Sequence, residues 1–230
     1  MAVVRKIPCI VRDITDHGER VYTVVLEPSS PVPTFKPGQF LHLALDPHDG
    51  SGFWPESRVF SIASSPRDRD RLVITYAVKG AFTTRMEREL AVGGSVWVKL
   101  PYGQFTIDAA RDAVLFAGGT GVTAFTAFLD SLTPDQEARV HLFYGCRTED
   151  LFVYGPLVEE RASQVQALEA SLVCEETDGR LSVDAAWPAI ESLDNPAIYV
   201  SGPPPMLTAL TCQIRSRGVV PEAIRIDAWE

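Results

Sequence analysis

At 230 residues the chain has room for two small domains or one large one. Hydrophobic residues at 46% and charged residues at 22% exclude intrinsic disorder. A formal net charge of −9 without any cationic block argues against nucleic acid as a ligand, because a phosphate backbone needs a basic stripe.

The amino-terminal Met1-Ala2-Val3-Val4-Arg5-Lys6 has neither an apolar run nor a small-residue cleavage site, so no secretory signal is expected. No stretch is apolar for long enough to span a membrane, and a cytoplasmic location is expected. Cys9, Cys146, Cys174 and Cys212 lie far apart, in neither a zinc nor a ferredoxin-type spacing. The expectation is four free thiols, no metal site, and any iron–sulfur centre on another chain.

In chain order, segments 21–26, 39–45, 71–78 and 95–100 are rich in β-branched and aromatic residues, and turn clusters such as Pro37-Gly38 and Gly93-Gly94 separate them. With one short helix over 84–90, this spacing predicts an antiparallel barrel. From about residue 112 the pattern changes. Segment 113–117 is wholly apolar, as in a strand buried on both faces of a parallel sheet. A helix over 123–132, a strand over 139–144, a helix over 155–164 and a strand over 170–175 follow. A helix over 182–192, a strand over 197–200, a helix over 205–217 and a last strand over 224–226 complete the alternation. The reading is a Greek-key-like barrel over 1–108 followed by a doubly wound α/β domain over 109–230.

Gly118-Gly119-Thr120-Gly121 follows the buried apolar strand and opens a helix. Glycines there let backbone N–H groups approach a pyrophosphate, and the helix end adds favourable partial charge. Ser201-Gly202-Pro203-Pro204-Pro205-Met206 sits at the end of a later strand, where ligands of open α/β sheets bind. Taken singly, each is also readable as a tight turn or a proline-stiffened loop.

Further blocks point to one family. Phe35-Lys36-Pro37-Gly38-Gln39-Phe40, Arg58-Val59-Phe60-Ser61-Ile62-Ala63-Ser64-Ser65-Pro66 and Lys79-Gly80-Ala81-Phe82-Thr83-Thr84 precede the Gly118 loop. Tyr144-Gly145-Cys146-Arg147-Thr148 and the Ser201 loop follow it. In this order the chain resembles, over nearly its whole length, the ferredoxin–NAD(P)H reductase family of flavoproteins. The resemblance implies a hydride passed from a nicotinamide dinucleotide to bound FAD, with FMN less favoured, and electrons handed to an acceptor protein on a separate chain. It implies that Arg58 pairs with the flavin pyrophosphate, Phe60 stacks beside the flavin, and Ser61 hydrogen-bonds near its ring, with Val59 between them. The N–H groups of Ala81, Phe82 and Thr83 would hold the pyrophosphate, helped by the Thr83 hydroxyl.

On the nicotinamide side the same resemblance assigns Gly118, Gly119, Thr120 and Gly121 to the dinucleotide pyrophosphate. Ser201, Gly202, Pro203, Pro204 and Met206 would flank the nicotinamide. Ser61 and Ser201 are the two side chains expected to align the reacting rings. Ser201 stands where many family members have cysteine, and Ala124 where they have proline. Trp229, near the end of the sequence, would shield the flavin face. Acidic Glu175, Glu176 and Asp178 favour NADH over NADPH, whereas Arg147 pulls the other way. Two other readings compete: a reductase using flavin as a loosely held substrate, and a non-catalytic regulatory subunit.

Overall fold

Alternating inward and outward side chains build the first half. In β1 (Arg5–Asp16), Ile7, Cys9 and Val11 are buried while Lys6, Ile10 and Arg12 are exposed. Strands β2 (Val21–Pro28), β3 (Phe40–Ala44), β4 (Ser57–Ser61), β5 (Leu72–Ala77) and β6 (Ser95–Tyr102) complete an antiparallel sheet in the order β4-β3-β6-β1-β2-β5. The Ala63 N–H donates to the Val73 carbonyl at 2.9 Å, drawing the end of β4 to β5 and nearly closing the sheet into a barrel. Helix α1 (Ala81–Glu89) follows β5 and buries Phe82 and Met86. It starts three residues earlier than the sequence pattern indicates, because Gly80 and Thr83 cap it.

The computed structural model describes residues 3–50 and 52–227, and the chain divides into compact units Met1–Thr106 and Ile107–Glu230. Every residue of β7 (Ala113–Gly118) is buried, as a central parallel strand requires. Around it lie β8 (Val140–Cys146), β9 (Leu168–Cys174), β10 (Ala197–Ser201) and β11 (Ile224–Asp227), all parallel, in the order β11-β10-β7-β8-β9. Helices α2 (Thr123–Ser131), α3 (Gly155–Gln164), α4 (Glu175–Asp178), α5 (Val183–Ser192) and α6 (Pro204–Ser216) connect them. On one face Phe116 and Phe143 stack at 5.5 Å within a core that also holds Ile190, Ile198, Leu210 and Ile214. Among the described residues, no helix is long and apolar enough to cross a membrane.

The chain winds outward from β7 through β8 to β9, then returns to place β10 on the other side of β7. This reversal opens a crevice beyond the carboxyl ends of β7 and β10, the place where open α/β sheets bind ligands.

Candidate functional site

In the barrel unit, Arg58 is the second residue of β4, opposite Leu43. Its guanidinium donates to the Ser57 carbonyl at 2.9 Å and lies 3.6 Å from the Glu56 carboxylate. It also sits 5.3 Å from the centroid of the Phe82 ring, in the first turn of α1. The strand thus delivers its cation to the amino end of that helix. The N–H groups of Ala81, Phe82 and Thr83 have no carbonyl acceptor within α1, and its first turn carries no acidic residue. An arginine beside free-ended amides fits a phosphate group, which a guanidinium and a helix amino end both favour.

The Thr83 hydroxyl is engaged by the backbone that precedes α1. It accepts from the N–H groups of Lys79 at 2.9 Å and Gly80 at 3.1 Å, and donates to the Gly80 carbonyl at 3.1 Å. These bonds fix the turn that leads into α1. Phe60 meets the Tyr76 ring edge-on at 6.1 Å, so its ring is partly committed to the barrel. Val59 pairs with His42, and Ser61 is buried opposite Phe40.

Two tight turns lock this corner. Gly38 has φ +91°, and a Cβ there would fall 2.3 Å from the Phe105 carbonyl oxygen. Gly103, at φ +99°, would place a Cβ 2.7 Å from the Phe40 ring. Between them Gln39 Nε2 donates to the Gly103 carbonyl at 3.1 Å, while its Oε1 accepts from the Lys36 N–H at 2.9 Å. The sequence marks Pro37-Gly38-Gln39 but not its partner turn, because nothing local links the two.

In the α/β unit the glycine loop and the Ser201 loop interlock. Gly119 holds φ +52°, and a 3₁₀ turn over Gly119–Val122 leads into α2. A Cβ on Gly121 would lie 2.5 Å from the Ser201 carbonyl oxygen and 2.7 Å from Gly202 Cα. One on Gly118 would lie 2.3 Å from Met206 Sδ and 3.1 Å from Pro203 Cδ. Pro203 caps α6, and Pro204 begins it. Gly118, Gly121, Gly202, Pro203 and Met206 are therefore brought together at the switch point, and the glycines are needed for close backbone approach. Thr120 supplies a carbonyl that accepts from the Thr123 hydroxyl at 2.8 Å.

Ser201 ends β10 and is buried at 2% exposure, with its Oγ donating to Asp227 Oδ2 at 2.9 Å. Asp227 ends β11 and is 3% exposed. Sequence reasoning missed Asp227: an acid after Ile224-Arg225-Ile226 looks like a solvent-facing position. Trp229 lies outside the described residues.

At the far edge of the parallel sheet, α4 carries Glu175, Glu176 and Asp178. Arg180 is held by Glu175 at 2.8 Å, and Asp178 accepts from the Cys174 N–H at 2.9 Å. Arg147 follows β8, and its carbonyl accepts from the Glu176 N–H at 3.2 Å. The loops carrying Arg147 and the acids are thus tied together.

A family profile described as an oxidoreductase NAD-binding domain matches residues 115–211. The reductase component DmpP of phenol 2-monooxygenase from Pseudomonas sp. (strain CF600) is 30% identical over 214 residues, covering 87% of this chain. The chain spans 59% of that relative's length, a little over half. An NAD(P)H-flavin reductase of Vibrio harveyi is 30% identical over 213 residues, covering 85% of this chain and 86% of the relative. The crystal structure of the Amycolatopsis cytochrome P450 reductase GcoB shares the fold at a TM-score of 0.84 and 22% identity, covering 99% of this chain and 70% of that one. With the motifs in order and the two-unit fold in place, the chain belongs to the ferredoxin–NAD(P)H reductase family of FAD/NAD-binding oxidoreductases.

Proposed function

We propose that this protein oxidises NADH, passes the hydride to bound FAD, and delivers the electrons to a separate acceptor such as a ferredoxin-like or haem protein. The observation that carries the reading is the interlock of Gly118 and Gly121 with the Ser201–Met206 segment at the switch point. When bound, FAD supplies a ring that takes two electrons together and can release them singly. No catalytic base is required of the chain. Its residues bind, orient and exclude water.

Arg58 and the first-turn amides of α1 are assigned to the flavin diphosphate, with Thr83 holding those amides in place. Ser61 is assigned to the flavin ring, and the Gly119–Gly121 backbone to the dinucleotide diphosphate. Because the Ser201 hydrogen is given to Asp227, the Ser201 oxygen is left to accept rather than donate. An amide N–H of the nicotinamide carboxamide suits that lone pair. Glu176 and Asp178 would repel a 2′-phosphate, while Arg180 and Glu175 neutralise one another as an ion pair. NADH is favoured over NADPH for that reason.

A second reading has its own support, because the NAD(P)H-flavin reductase of Vibrio harveyi matches over 86% of its length. In that reading flavin is a substrate. Absorbance of the purified protein, extraction of its flavin, and anaerobic mixing with NADH or NADPH decide the matter. The proposal expects yellow protein that releases FAD and bleaches faster with NADH. Colourless protein that reduces added riboflavin selects the second reading. Bound FAD that neither nucleotide bleaches overturns hydride transfer altogether.

A further inference from the structure

Cys146 and Cys174 are remote in sequence but end adjacent parallel strands in register, each opposite the other. Neighbouring strands lie ~4.8 Å apart, and directly opposed residues project to the same face. A disulfide needs Cα atoms roughly 4.4–6.8 Å apart, so the backbone spacing permits one. Both thiols lie under a single loop. Cys146 Sγ donates to the Leu151 carbonyl at 3.2 Å, and Cys174 Sγ to the Arg147 carbonyl at 3.6 Å. The Gly119 N–H also reaches the Cys146 sulfur, joining it to the glycine loop.

Access comes from one side. Cys174 lines a cavity of about 460 Å³ whose other walls include Glu149, Phe152, Glu159 and Asp178. Glu149 and Glu159 are exposed, so the cavity opens to solvent. Both thiols are buried, Cys174 at 5% exposure and Cys146 at 6%, and of the two only Cys174 lines the cavity; burial pushes the Cys146 thiol up to about 11.

We propose that Cys146 and Cys174 form a reversible dithiol–disulfide pair, closed by peroxide, that weakens nucleotide binding when oxidised. The Cys174 sulfur attacks one peroxide oxygen, the O–O bond breaks, and a sulfenic acid and one water result. The Cys146 sulfur then displaces the sulfenic hydroxyl, which leaves with the Cys146 proton as a second water. Two thiols give up two electrons and one peroxide accepts them. Closure is slowed by the high Cys146 value and quickens as pH rises. The disulfide withdraws the thiol hydrogens from Leu151 and Arg147 and disturbs the Gly119 contact. This effect rests on the reading of the Gly118–Gly121 loop as the nucleotide site.

The test treats the full chain with hydrogen peroxide, maps its peptides by mass spectrometry, and titrates NADH before and after. All four cysteines are free and Cys212 is exposed, so a Cys212→Ser background prevents linkage between molecules. Expected are a Cys146–Cys174 linked peptide, its reversal by dithiothreitol, and a roughly tenfold rise in the NADH Kd. Cys146→Ser and Cys174→Ser should each keep the untreated Kd after peroxide. Absence of the linked peptide overturns the pair, and a linked peptide with an unchanged Kd overturns its effect on binding. Should the reduced protein show no NADH affinity, the nucleotide reading fails while the peptide map still decides the dithiol.

Discussion

Ser201 and Asp227 stand in register on β10 and β11, joined by a buried hydrogen bond of 2.9 Å. The bond ties the nucleotide-side loop to the last strand of the sheet. Asp227→Ala leaves the buried Ser201 hydroxyl without this acceptor and should cost ~1–3 kcal/mol. Asp227→Asn retains an acceptor oxygen and should cost less. Urea denaturation of both variants measures the difference. An Asp227→Ala protein as stable as the parent would show that the bond contributes nothing.

The glycines of the interlock should respond unequally to alanine. At Gly121 the added methyl meets backbone, the Ser201 carbonyl at 2.5 Å, and backbone cannot swing away. At Gly118 the nearest atom is Met206 Sδ at 2.3 Å, the far part of a flexible side chain. Gly121→Ala should therefore destabilise by about 3 kcal/mol and abolish NADH binding. Gly118→Ala should cost about 1 kcal/mol, and Met206→Ala should relieve part of it in the double variant. Equal losses at the two positions, read from denaturation midpoints, would contradict the packing argument.

Thr83 separates a scaffolding role from direct contact. Thr83→Val keeps the shape but removes the acceptor for two backbone N–H groups, so α1 should lose ~1 kcal/mol of capping. Thr83→Ser should restore it. Flavin retention on gel filtration should follow the same order, with Val lowest. Flavin loss in the Ser variant would mean that the threonine methyl, rather than the hydroxyl, governs the site.

These sites were legible in the sequence to different degrees. The β7 run was plain because a strand buried on both faces carries no polar residue to blur it. β1 was not, since Pro8 and the exposed Lys6, Arg12, Asp13 and Asp16 mask the alternation of Ile7, Cys9 and Val11. The Arg58 block read as a motif but not as strand β4, because the barrel edge leaves Arg58 half exposed. Asp227 and the Cys146–Cys174 pair depend on which strands are neighbours in the parallel sheet. Residue spacing does not encode these pairings; the strand order and the register of β10 with β11 and of β8 with β9 supply them.

Asp112 should make the α/β unit sensitive to acid. Burial raises its carboxyl, but the N–H groups of Arg139 and Asp194 and the Arg139 guanidinium more than offset that and hold it below its ordinary value. The Arg139 N–H donates at 2.8 Å and its guanidinium at 3.2 Å, while the Asp194 N–H donates at 3.3 Å. These bonds tie the residue before β7 to the entry of β8 and to the turn before β10. A carboxylate depressed in the folded state contributes stability above its unfolded value of about 3.9. That contribution is lost as pH falls through the lower folded value. Asp112→Asn keeps the shape without the charge and should be less stable than the parent by ~1–2 kcal/mol at about pH 7. As pH falls below about 4 the two denaturation curves should converge, as the parent takes up the proton that the variant never needs. A stability gap that stays constant over that range would assign the loss to packing rather than to the ionised carboxylate.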